Sequence, residues 1–387
     1  MFSEEQLEEL LEVFLERARK VNKKYLIAMG EHIRDIGQLI PSDINRLVQM
    51  QRMHENLEDI KNEIAHVAEI SMEDLEKVFQ AAMELDARFM ADKFASVYMP
   101  SILKDEAMQR ILLAQLNVTF GAMYNLSQTT VSSDAYRKLV DRGIQAVQSG
   151  VEDYNAAIRR TLAEAAEEGV QVIYRDGNTA KVQYSSGRKM RLDSAVRMNV
   201  LDGLRSLNRD ALWQIGEEYG ADGIEIDAHA LCAEDHLPYQ GKQFSIAEFE
   251  ELQQQLDRPF GKWNCKHMMY PILLGISAPA YDETDLEEFR KNSEEKIEID
   301  GIAHTRYEWT QVQRRLETAI RYRKDTAVVA MAAGDARLRR DMQRSINSIM
   351  EKYKKISRET KLETQWNRIR VQGFREMTRR QMAQTKE

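Results

Sequence analysis

The sequence holds only two cysteines in 387 residues. No disulfide framework can be built from so few, so this is the chain of a protein made in a reducing cytoplasm. Its six prolines leave long stretches uninterrupted. No run of about 18 apolar residues occurs, so no membrane-spanning helix is expected. The N-terminus, MFSEEQLEELLEVFLERARK, is acidic and amphipathic, without the basic start and apolar centre of a signal peptide. Gly-x-Gly-x-x-Gly, Gly-x4-Gly-Lys-Ser/Thr, His-Glu-x-x-His and Gly-x-Ser-x-Gly are all missing. Their absence weighs against nucleotide hydrolysis, dinucleotide redox chemistry and serine hydrolysis. No internal repeat of roughly 20–50 residues is evident.

What is present is helix. Hydrophobic residues make up 43% and charged residues 30% of the chain, the balance of a helix-rich protein with a real core. Leu10, Leu11, Phe14, Ala18 and Val21 recur at helical spacing, as do Ile64 and Val67. Ser71-Met-Glu-Asp74 has the form of a cap that opens a further helix through Leu75, Val78, Ala82, Leu85 and Phe89. Past Gly169 the period changes to two. Three short alternating runs, at 170–174, 180–184 and 190–192, predict a three-stranded antiparallel meander. Asp193-Ser194 then opens a helix that Gly220 ends. Thr284 caps a short helix, and Asp300-Gly301 turns a small hairpin. From Arg306 on the pattern is helical, with a frayed stretch over the last twenty residues. The fold class read from these signals is α+β and predominantly α-helical. It comprises long N-terminal helices, a small antiparallel β meander plus helix core, and basic C-terminal helices. The corresponding domains are 1–168, 169–300 and 301–387.

The helical pattern breaks most sharply between Ile224 and Pro271, a stretch holding both cysteines and three of the seven histidines. Cys232-x3-His236 and Cys265-x-His267 form two short-spaced pairs about thirty residues apart, the arrangement from which a tetrahedral zinc site is built. Cys-x-His demands a turn at Lys266 to bring both side chains to one ion. The same four residues also fit two buried, small apolar cysteines beside ordinarily hydrogen-bonded histidines. A third reading is a metal-dependent nuclease of the ββα-metal type, with His236 beside Asp235 as general base. No other catalytic group suggests itself.

Charge is distributed unevenly. Residues 301–387 carry 21 Lys and Arg against 10 Asp and Glu, a net of +11, although the whole chain is −8. Arg337, Arg339, Arg340, Arg344, Lys352, Lys354 and Lys355 fall largely off the apolar stripe of their helix, which makes them candidates for contacting duplex DNA.

At this point the sequence resembles a known family. The run His229…Glu234-Asp-His236…Tyr239-Gln240-Gly241-Lys242…Phe244-Ser245…Gly261…Asn264-Cys265-Lys-His267…Tyr270-Pro271 is similar to the signature of the phage minor capsid proteins. These belong to the wider group of head morphogenesis proteins typified by the F protein of phage Mu. The Tyr307-Glu-x-Thr310, Ala333-Gly-Asp335 and Trp366-x-Arg-Ile-Arg-Val-x-Gly-Phe374 segments extend the likeness over about 200–375. Tyr239 stands where a Trp is common in the family. The resemblance implies a minor structural component of a tailed-phage head, at or near the portal vertex. It implies the portal protein, the major capsid protein or both as partners, and packaged double-stranded DNA nearby. It implies location in the virion and, during assembly, in the host cytoplasm, with no membrane partner and no catalytic residues. His229, Gln240, Gly241, Lys242, Asn264, Tyr270 and Pro271 would be the signature core. The N-terminal helices are candidates for self-association. Zinc is the only cofactor suggested.

Overall fold

The computed structural model describes residues 4–37, 43–94, 103–129, 159–160, 163, 171–173, 189–261 and 265–384. Three long helices come first: α1 (Glu4–Gly37), α2 (Asp43–Lys93) and α3 (Glu106–Thr129). Strands β1 (Gln171–Ile173) and β2 (Lys189–Arg191) lead into α4 (Leu192–Glu218). Then come β3 (Gly223–Ile226), β4 (Gln243–Ser245), α5 (Ile246–Gln255), β5 (Met269–Ile272) and α6 (Glu283–Glu294). A hairpin of β6 (Lys296–Ile299) and β7 (Ile302–Thr305) precedes α7 (Arg306–Ala333), α8 (Ala336–Thr360) and a short α9 (Arg379–Gln384). The described chain is therefore mostly helical, with small antiparallel sheets, as its periodicities predict.

The helical body forms because each long helix buries one stripe. Leu11, Phe14, Ala18, Leu26 and Met29 of α1 meet Leu75, Phe79, Met83 and Met90 of α2, Leu112 and Leu116 of α3, and Leu204, Leu207 and Leu212 of α4. Val328 and Val329 of α7 join the same cluster, as do Tyr270 and Ile272 of β5. Each fully buried side chain of this size contributes roughly 1.5–3 kcal/mol. Two glycines set how closely helices approach. A Cβ at Gly30 of α1 would lie 2.5 Å from the carbonyl oxygen of Val329, and one at Gly203 of α4 would lie 2.0 Å from Oγ1 of Thr119.

Several boundaries differ from the sequence expectation. α2 runs unbroken through Ser71-Met-Glu-Asp74. Ser71 Oγ donates back to the carbonyl of Val67 at 2.6 Å. Arg17 of α1 donates to Ser71 Oγ at 3.0 Å and to Asp74 Oδ2 at 2.6 Å. Both supposed cap residues are thus taken up by a side chain from the neighbouring helix. Asp193 does not cap α4 either. The helix begins at Leu192, and Asp193 instead pairs with Arg191 at 3.2 Å and Arg321 at 3.9 Å. The cap of α6 is Asp282, which forms a reciprocal box with Asp285, two residues before the Thr284 expected. The first and third runs of the anticipated meander are direct neighbours, with Gln171 opposite Arg191. The second run, 180–184, lies outside the described residues.

The hairpin conforms to expectation. Asp300 (φ 53°) and Gly301 (φ 79°) both adopt the left-handed conformation that a two-residue turn between twisted strands requires. Trp309 is buried beneath it and donates its indole N–H to the carbonyl of Ile297.

The residues after α8 form a strap, where a frayed tail was expected. Ile369 and Val371 are buried. Gln365 N–H donates to the hydroxyl of Tyr353, Lys324 donates to the carbonyl of Ile369, and Met377 N–H donates to Oε1 of Gln343. The strap also reaches the first helix. Buried Arg19 donates to the carbonyl of Asn367 at 2.9 Å, and Arg370 pairs with Glu12 at 3.1 Å.

Candidate metal centre

The Ile224–Pro271 stretch folds into a knot on one edge of the helical body. β3 is its centre, hydrogen-bonded to β4 on one side and β5 on the other, with all four residues buried. Glu225 lies in the middle of this strand and is fully buried. Its carboxylate accepts from Tyr270 Oη at 2.8 Å, the Ala280 N–H at 2.7 Å and Gln243 Nε2 at 2.9 Å. Pro271 of β5 faces Gly216 of α4, where a Cβ would lie 2.4 Å from the proline ring. β5 docks on α4 through that missing side chain. Gly241 (φ 71°) turns the chain into β4, and Leu286 occupies the space a side chain would need there. Lys242 is exposed; its backbone carbonyl accepts from the N–H of Ile226, and its own N–H donates to the carbonyl of Tyr239. Asn264 and Trp263 lie outside the described residues.

Within the knot, the loop after β3, the segment after α5 and the residues before β5 deliver four side chains to one place. Ser245 and Glu248 form the capping box that starts α5. Past its end, Arg258 makes a two-pronged ion pair with Asp235, at 3.0 and 2.6 Å. That pair brings the Arg258 carbonyl to His236 Nε2, 2.6 Å away. Phe260 stacks on the His236 ring at 4.1 Å between centroids. On its other edge, Nδ1 of His236 lies 3.4 Å from the Cys265 sulfur. Nδ1 of His267 lies 3.4 Å from the same sulfur. The ligand atoms of His236, Cys265 and His267 all fall within 4.8 Å of one another.

Cys232 stands apart from this trio. Its sulfur lies 3.5 Å from Nε2 of His267, on the opposite edge of that ring, and its thiol points to the Ala233 carbonyl at 3.3 Å. Gln240 shares this edge. Its Oε1 lies 3.3 Å from His267 Nε2 and accepts the backbone N–H of His229 at 3.2 Å. His229 itself lies with its ring 4.4 Å from that of His267. The sequence pairs therefore converge, but as a three-residue cluster with Cys232 and Gln240 behind it.

Cys232, His236, Cys265 and His267 are each at most 4% exposed. Burial depresses the pKa of His267 to about 2, assisted by His229 and His236, so the ring is neutral. Burial also lowers His236 and raises both thiols, Cys232 to about 12. A general base must reach a proton on its substrate. These histidines face one another and the protein interior. Neither the His236 nor the His267 ring is open to solvent.

The basic candidates of α8 divide. Arg337, Arg344, Lys352 and Lys354 are exposed. Arg344 lies 3.6 Å from Asp341, and Lys354 sits over the ring of Trp366. Arg339 donates to the Arg375 carbonyl, and Lys355 pairs with Asp300. Arg340 does not fit the expectation of a DNA-facing side chain. It is buried, because the strap that hydrogen-bonds to Gln343 crosses that side of the helix.

The fold and the knot define a mainly helical protein with a small, closed Cys/His cluster. A sequence model of the family described as phage minor capsid protein 2 matches residues 4–356, nearly the whole chain. The chain belongs to that family and is a structural component of a phage head. It is a virion protein that interacts with other head components. No curated protein and no solved structure matches it.

Proposed function

We propose that this minor capsid protein acts at or near the portal vertex, within the head, during head assembly. Its acidic body docks on the portal protein, the major capsid protein or both. The exposed basic side of α8 faces packaged double-stranded DNA, and the N-terminal helices provide for self-association. Assembly takes place in the host cytoplasm. A zinc-class ion in the His236–Cys265–His267 cluster is the cofactor of this structural role.

The observation that carries the reading is the charge division within a chain of this family. Residues 301–387 are net +11 in a chain that is −8 overall. Phosphate contacts from such a surface are independent of sequence and fall with salt, as suits a protein beside packaged DNA of any sequence. Cross-linking mass spectrometry on purified particles tests it. The expected result is this chain at low copy, with links from α1–α4 to portal or capsid subunits. Absence from the particles, or links confined to the tail, would overturn the portal-vertex reading.

A further inference from the structure

The hydrogen bonds around the cluster fix where its protons are. The Arg258 carbonyl can only accept, so Nε2 of His236, 2.6 Å away, carries the hydrogen. A ring with its one hydrogen on Nε2 presents Nδ1 as a lone pair aimed at the Cys265 sulfur. The same reasoning applies to His267. Oε1 of Gln240 accepts the backbone N–H of His229, so that atom is the amide oxygen. Nε2 of His267 therefore donates to it, and Nδ1 is again a lone pair directed at the Cys265 sulfur.

Two lone pairs thus converge on one thiol, which has one hydrogen to offer. As a protonated thiol, Cys265 can satisfy either imidazole but not both. Burial raises the Cys265 thiol, and the backbone N–H groups of Gly261 and His267 offset only part of that, so without a cation the sulfur keeps its hydrogen. One divalent cation among the three atoms resolves the conflict, because thiolate and both lone pairs all become ligands. Outer hydrogen bonds from the far nitrogen of each histidine are the usual support of a metal site.

We infer that His236 Nδ1, Cys265 Sγ and His267 Nδ1 ligate one zinc-class ion that holds the knot together, with Cys232 outside the ligand set. This deepens the cofactor reading above and rests on it. One thiolate and two imidazoles suit zinc or cobalt(II) and disfavour magnesium or calcium, which take oxygen ligands. Cys232 is excluded because its thiol donates to Ala233 and its sulfur lies on the protonated edge of His267. Cys232 and Gln240 instead orient that ring. The knot needs such a staple. Its own apolar cluster is small (Ile224, Ile226, Phe249, Leu252, Phe260 and Cys265), and both cysteines are free.

The test uses the full chain, purified without chelator, with metal measured by mass spectrometry and the site re-formed with cobalt(II). One zinc per chain is expected, with a thiolate-to-cobalt absorption band in the exchanged protein. The band should survive Cys232→Ser and vanish in Cys265→Ser. Chelation should open residues 227–268 to proteolysis and leave α7 and α8 protected. Should Cys265→Ser fold poorly, stripped wild-type chain titrated with cobalt(II) gives the same readout. No metal uptake in either form, or loss of the band in Cys232→Ser, would overturn the inference. A protein without metal that still occupies the particle would sink this inference alone. A metal-loaded chain missing from particles would sink only the portal-vertex reading.

Discussion

The hydroxyl of Tyr270 donates to the carboxylate of Glu225 at 2.8 Å, joining β5 to β3 inside the knot. The other side of the Tyr270 ring meets Phe89 of α2 edge-on, with 5.4 Å between centroids. One side chain therefore couples the knot's buried charge to the helical body. Tyr270→Phe keeps the ring contact and removes the donor. It should destabilise the chain by about 1–3 kcal/mol, the usual range when a buried polar group is deprived of its partner. Glu225→Gln should cost at least as much, because an amide cannot accept from three donors equally. Denaturant unfolding measures both, and an unchanged midpoint for Tyr270→Phe would refute the coupling.

Asp86 of α2 is buried and receives the Asn208 amide of α4 at 2.5 Å. Burial raises its carboxyl to about 7. Between pH 4 and 7 the folded chain then keeps a proton that the unfolded chain has released. Stability must therefore fall as pH rises through this window, by up to about 1.4 kcal/mol per unit, and level off above it. In Asp86→Asn the slope from this group should vanish, and stability at pH 8 should exceed that of the wild type. Parallel pH profiles for the two proteins would show that Asp86 does not titrate there.

The strap makes the C-terminal region intolerant of change. Ile369 is buried beside Ile320 and Tyr353. Ile369→Ala should cost about 2–4 kcal/mol, as core truncations do, whereas a loose tail would accept it without penalty. Thermal unfolding distinguishes the two.

The proposed DNA contact separates the arginines of α8. Replacing exposed Arg337 and Lys352 with alanine should weaken duplex binding at low salt. It should also flatten the salt dependence by roughly one unit of log–log slope for each phosphate no longer neutralised. Stability should be unaffected. Arg340→Ala should do the reverse, lowering the unfolding midpoint with little change in salt slope, because that side chain is buried. Filter binding across a salt series, paired with thermal unfolding, reads both outcomes.

Much of this was legible from local pattern. The stripes of α1, the type of turn at Asp300-Gly301 and the convergence of His236, Cys265 and His267 all follow from spacing. The rest was not, because it depends on partners far along the chain. Ser71 and Asp74 spell a helix start, but Arg17 claims both from 54 and 57 residues away. Glu225, between Ile224 and Ile226, reads as the solvent face of a strand. It is buried because Gln243, Tyr270 and Ala280 surround it with donors. Cys232 falls outside the His236–Cys265–His267 cluster because of which edge of His267 it meets, and no sequence spacing encodes which ring nitrogen faces which neighbour.

The contact between Arg19 and the Asn367 carbonyl spans 348 residues of sequence. During synthesis, the first helix emerges from the ribosome long before the segment that receives its buried guanidinium exists. Its apolar stripe can find α2 early, but this partner follows only 348 residues later. Native closure of the body therefore waits for the strap, and a chain synthesised only as far as α7 leaves the buried guanidinium of Arg19 without that carbonyl.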